Sequence, residues 1–195
     1  MLAGKAPLAI STNRESDLLQ AIKLAADYSL KVIVIGGAEA WRVAGALASA
    51  KIPVFADPQM NVPISFETIG ARLDNAALLH RAGVTVALNV TSGVYQSYNA
   101  GLSIREGAGL AVANGLPYID GLRALTTVPA QVWGIGDRYG TIAPGKDADL
   151  VIWDGDPLEP STLATMVMIQ GKEASLVTRQ TLLRDRYLPL HIETP

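Results

Sequence analysis

Apolar positions follow two different periods along the first 140 residues. Short unbroken runs, PLAIS at 7–11, KVIVI at 31–35, IPVFA at 52–56 and VTVAL at 84–88, are separated by longer stretches in which apolar residues return every third or fourth position. A β-branched run such as KVIVI predicts a strand covered on both faces. RESDLLQAIKLAADYS sets Leu18, Leu19, Ile22 and Ala25 on one helical stripe, and Thr12 three residues before Glu15 predicts a capping box at its start. Gly36 and Gly37 release the second strand into a helix over AEAWRVAGALASA. A proline-containing loop, NVPIS, leads to a helix over ETIGARLDNAALLHRAG. Four strand-then-helix units with crossovers of this length predict a parallel sheet.

Beyond the fourth strand the pattern changes. The polar loop TSGVYQSYNAG precedes a helix over LSIREGAGLAVANG and a second over YIDGLRALTTVPAQVWG, interrupted near Pro129. After Gly140 the runs DLVIW, TMVMIQG and EASLVTR are short, alternating and separated by turns, so residues 146–178 predict a small β unit, antiparallel in part. The tail QTLLRDRYLPLHIETP is long enough for one or two helical turns. The expected division is residues 1–139 for the β/α part and 140–195 for the small β subdomain and tail.

Composition narrows the function classes. With 49% apolar and 17% charged residues, the 195-residue chain has the makeup of a folded domain. A net charge of −2, with the basic residues dispersed, supplies no footprint for nucleic acid. The absence of cysteine excludes disulfides, cysteine-ligated metals and thiol catalysis, and leaves cytoplasm or periplasm open, with cytoplasm the expectation. MLAGKAPLAI lacks the long apolar core of a signal peptide, and no run reaches the roughly 20 apolar residues that span a bilayer, so no membrane role is expected.

Candidate chemistry is sparse. VIVIGGAEAW lacks the GxGxxG spacing of a dinucleotide site; the turn after its strand could hold an anion at the helix start, but a plain tight turn is the simpler reading. GIGDRYG follows a helix, where glycine acts as a stop. The only histidines are His80, near a helix end, and His191, in the tail; joined by Asp57 they would make a minimal zinc set, which nothing in their spacing requests. Asp154 and Asp156 in DGDP lack the further oxygens of a calcium loop and read as a turn. Ser11, Ser65 and Ser92 have no evident histidine base, and Glu67, Arg72 and Asp74 read as a solvated face. In a β/α barrel the site lies at the loop tips that follow the strands. Those tips carry Ser11, Thr12, Asn13 and Arg14, then Gly36 and Gly37, then Asp57 and Gln59, then Asn89, Thr91 and Ser92. Ser11, Asn13, Arg14, Asp57, Asn89 and Ser92 are the candidate ligand-binding residues. Arg14 and Asp57 either bind a small polar molecule or pair with one another at the rim. The set can bind, but it is poor at activating water.

GTIAPGKDADLVIWDGDP at 140–157, followed by VMIQGK at 167–172, resembles the carboxyl-terminal signature of the amidohydrolase superfamily, especially its imidazolonepropionase-like branch. The residues that carry the likeness are Gly140, Pro144, Gly145, Lys146, Asp147, Ala148, Asp149, Leu150, Trp153, Asp156 and Pro157, then Val167, Gly171 and Lys172. NGLPYIDGLRALTTVPAQVWGI and GGAEAWRVAGALASAKIPV are similar to the family's last helix pair and to its sixth and seventh strand units. The resemblance covers essentially the whole chain and the second half of a full-length member. It implies an α/β fold: half of a TIM-type β/α barrel plus a small β-sandwich-like subdomain, in which the GKDAD phrase is a structural turn.

The resemblance also implies a hydrolase of non-peptide C–N bonds in cyclic amides, ureas or dipeptide-like substrates, using zinc or another divalent metal. Its first-strand HxH pair and fourth-strand bridging ligand have no counterpart here. Ser11 stands at the fifth-strand histidine position, Ile35 or Gly36 at the sixth, and Thr91 or Ser92 at the final aspartate. The expectation is therefore a chain without a metal centre of its own. A non-catalytic small-molecule-binding or scaffold remnant of the same fold is the alternative. The exposed edges of a half barrel predict a homodimer, or a partner that supplies the missing amino-terminal half.

Overall fold

A computed structural model of the chain describes residues 6–91 and 99–188. The four apolar runs become β1 (Leu8–Thr12), β2 (Val32–Gly36), β3 (Val54–Ala56) and β4 (Val86–Leu88), parallel and paired in sequence order. Helices α1 (Glu15–Tyr28), α2 (Ala44–Ser49) and α3 (Asn75–Arg81) connect them. On the helix side, Leu18, Leu47 and Leu79 are fully buried against Val34 and Val54. Each such side chain contributes about 2 kcal/mol by leaving water. On the opposite face Ile33, Phe55 and Ala87 are buried beneath Val128 and Val132, and the Trp133 ring centroid lies 6.0 Å from that of Phe55. Two covered faces explain why KVIVI does not alternate. The outer strand β1 alternates instead, with Ala9 and Ser11 exposed on the face they share with Ile33 and Ile35.

Three helical expectations are corrected. Thr12 caps nothing: it ends β1, and α1 starts at Glu15 after Arg14. The stretch after Gly37 is a 3₁₀ turn, Ala40–Val43, before α2, and the N–H groups of Ala38, Glu39 and Trp41 are bound by Asn13 and Asn75. Residues 65–74 form a 3₁₀ turn, Phe66–Thr68, capped by Ser65, and further turns; only Asn75–Arg81 is α-helix.

After β4 come α4 (Ala100–Ala113), α5 (Tyr118–Leu125) and α6 (Thr127–Val132). The break lies at Thr126, not at Pro129, which occupies the first turn of α6 where a missing N–H leaves no bond unmade. Strands β5 (Leu150–Trp153), β6 (Ala164–Ile169) and β7 (Lys172–Ala174) form a fully antiparallel sheet, and α7 (Arg179–Tyr187) follows. GKDAD feeds β5 as a turn: Gly145 has φ +85°, the Lys146 ammonium donates to the Gly136 carbonyl at 2.6 Å, and Asp149 accepts from the Gln170 N–H at 2.6 Å. DGDP fastens this sheet to the helices. Asp156 accepts from the Tyr118 hydroxyl and the Leu158 N–H, both at 2.8 Å. Leu158 is buried in the main core, close enough to α4 that a Cβ on Gly109 would sit 2.8 Å from the Leu158 carbonyl oxygen. Arg105 of α4 stacks 4.1 Å above the Trp153 ring. Among the described residues no helix is long and apolar enough to cross a membrane.

Candidate functional site

The carboxyl ends of β1–β4 form one mouth, and several of its polar side chains are already engaged by the protein. Asp57, 4% exposed at the end of β3, is the clearest case. One carboxylate oxygen accepts from the N–H groups of Gln59 at 3.2 Å and Met60 at 3.3 Å; the other accepts from the Thr91 N–H and hydroxyl, both at 2.7 Å. Four donors fill the lone-pair directions of one carboxylate. Asp57 is thus a staple between the β3 and β4 loops, and it does not pair with Arg14. The Arg14 guanidinium donates instead to the Phe66 carbonyl at 3.2 Å.

Asn13 has the same kind of role. Its side-chain oxygen accepts from the Ala38 N–H at 3.2 Å, and its carbonyl accepts from the Glu39 N–H at 2.9 Å. The anion reading of the Gly36–Gly37 turn therefore fails: the N–H of Gly37 donates to the Thr12 carbonyl, and those of the next two residues are also occupied. Gly36 is required there, since at φ +94° an added Cβ would lie 2.7 Å from the Asn13 oxygen. The Asn89 side chain accepts from the Val90 N–H at 2.8 Å, and its own N–H pairs with Ala56. Ser11 is exposed on the outer strand. Ser92 and His191 lie outside the described residues.

Sequence reasoning passed over two buried polar residues. Glu39, 6% exposed, accepts from the Glu15 N–H at 2.9 Å and so caps α1 from the neighbouring unit. Its other oxygen lies against Gly70, where a Cβ would come within 2.5 Å. Asn75, fully buried, accepts from the Trp41 N–H at 3.1 Å and donates to the Gly37 carbonyl at 2.9 Å. An asparagine heading an otherwise apolar NAALL run was a usable signal; Glu39 carried none, because its burial depends on a contact 31 residues away. Among the described residues three polar atoms at or beside the mouth, the Thr12 hydroxyl, the Gln59 side-chain oxygen and the Asn61 amide nitrogen, are buried without a partner, while the Gln59 amide donates to Glu106 at 3.0 Å. His80 sits at the opposite end of the sheet, at the end of α3, with Nε2 3.5 Å from an Asp120 oxygen.

Residues 11–177 match the Amidohydrolase family. The chain belongs to the amidohydrolase family. An amidohydrolase structure from Thermotoga maritima MSB8 superposes with a TM-score of 0.80 at 33% identity, over 89% of this chain and 44% of that one. An imidazolonepropionase from Sphingopyxis alaskensis is 36% identical over 89 residues, 45% of this chain and 22% of that protein, in keeping with the imidazolonepropionase-like branch. A zinc-bound adenosine deaminase from Xanthomonas campestris superposes with a TM-score of 0.60 at 25% identity, over 97% of this chain and 51% of that one. The chain spans about half the length of these two structures and less of the curated relative.

Among the described residues the donor set at these four strand ends does not fit a divalent ion of that kind. Ile35 and Gly36 offer no ligand atom, Ser11 and Thr91 offer neutral hydroxyls, and the Thr91 hydroxyl is bound to Asp57. The Asp57 carboxylate is saturated by N–H and O–H donors, and Glu39 is held against the start of α1. Among the described residues no three histidine, aspartate or glutamate side chains converge as a metal site would require.

Proposed function

We propose that the parent activity is hydrolysis of a non-peptide C–N bond, in a cyclic amide, urea or dipeptide-like substrate, and that this chain lends the fold and a polar rim without a water-activating metal centre. Membership of the amidohydrolase family supports the first half of the reading. One observation carries the second: the Asp57 carboxylate is committed to four protein donors and has no lone pair to spare for a cation or a water. Zinc quantified in protein purified without chelator should be well below one equivalent, with no chelator-sensitive hydrolysis of a dihydropyrimidine, a hydantoin or a dipeptide. One equivalent of zinc, with hydrolysis abolished by chelator, would overturn it.

A non-catalytic small-molecule-binding role is the second reading, and two polar atoms near the β3 loop that lack partners among the described residues favour it. A buried amide donor on Asn61 and a buried acceptor on Gln59 are costly without a partner, at about 1–3 kcal/mol each. A polar molecule that satisfies both would raise the melting temperature of this chain and lose that effect in Asn61→Leu.

A further inference from the structure

We propose that the cleft beneath the amino ends of β2–β4, at the far end of the strands from the mouth, binds a small aromatic anion of the aryl phosphate class. The inference goes beyond the reading of activity and uses none of the rim residues, so the two can fail separately.

The cleft has a volume of about 620 Å³, within the range of small-molecule pockets. It lies under the middle of the sheet, since β2 and β3 are each paired on both sides. Its walls are the turn from α1 into β2, the turn from α2 into β3, and the end of α6 with Trp133. Each of the two turns brings one lysine to the cleft, Lys31 and Lys51, and these are the only charged residues among its described lining.

A lysine just past a helix commonly serves that helix's carbonyl end. Here the backbone already meets that need: the Leu30 N–H donates to the Ala25 carbonyl and the Ile52 N–H to the Leu47 carbonyl, both at 3.0 Å. Lys23 and Lys146 are bonded within the protein, whereas the Lys31 and Lys51 ammonium groups have no partner among the described residues. Asp27, the carboxylate nearest to Lys31 along the chain, is bound by Lys23 and lines a different cleft beside β1. Two uncompensated ammonium groups on one concavity favour an anion, and a doubly charged one most. The remaining wall sets the body of the ligand. The half-exposed Trp133 indole lies beside Ile33, Ile52 and Pro53, a surface suited to a flat ring.

Calorimetric titration of the full chain with 1-naphthyl phosphate should give one site whose affinity falls as salt rises. Lys31→Gln and Lys51→Gln, both at exposed positions, should each weaken it about fivefold with circular dichroism unchanged. Inorganic phosphate lacks the ring and 1-naphthol lacks the charge, and each should bind about tenfold more weakly or worse. Asn61→Leu, at the mouth, should leave the affinity as it is. Absence of binding, or equal affinity for inorganic phosphate or 1-naphthol, would overturn the proposal. So would an affinity that either lysine substitution leaves unaltered, or one that Asn61→Leu reduces.

Discussion

Asp57 shows how one side chain can carry the meaning of a whole rim. An aspartate after a barrel strand invites a catalytic reading, and its chemistry depends entirely on what it already accepts. Here every acceptor direction is filled by N–H or O–H groups of the β3 and β4 loops. Asp57→Asn would turn an amide N–H₂ toward donors that need an acceptor. It should cost about 1–3 kcal/mol in denaturant unfolding, with no change in bound metal. A loss of metal on this substitution would instead mark Asp57 as a ligand.

At the element scale, loops and strands take their form from neighbouring units. Glu39 caps α1, Asn75 holds the turn after Gly37, and the run before α3 stays out of helix to let Gly70 lie against Glu39. The strands and the amphipathic α1 were legible because burial on one or two faces writes a period into the chain. The first turns of the later helices were not, because Asn13, Asn75 and Glu39 contact them from positions distant in sequence. The turn into β5 gives a pH prediction. Hydrogen bonds from the Tyr139 hydroxyl and then the Arg138 guanidinium hold Asp147 below the usual carboxylate range. A depressed value means the contribution is complete above about pH 4 and is lost as the pH falls through the still lower folded value. Asp147→Asn should therefore melt below the wild type at pH 7, and the gap should close under acid. A gap that persists at pH 2 would show that the turn does not depend on this charge.

For the whole molecule, the decisive joint is between the two sheets. Leu158 enters the main core from the loop that follows β5, and Tyr118 and Arg105 reach back to Asp156 and Trp153. Leu158→Ala should cost about 2–5 kcal/mol and split a single thermal transition into two as the small sheet comes loose. A single unsplit transition would mean that the polar contacts suffice to couple the sheets. The overall architecture was legible in the sequence through the period of the four runs and through GKDAD and DGDP, whose glycines and aspartates are dictated locally by turn geometry. What the mouth can do was not. The pattern of residues determined that four parallel strands would form and that few ligating side chains would stand at their ends. Only the folded arrangement decided that Asn13, Glu39, Asp57 and Asn75 are spent on bracing loops. A hydrogen bond is assigned by distance in space, and these partners come together only once the sheet has formed.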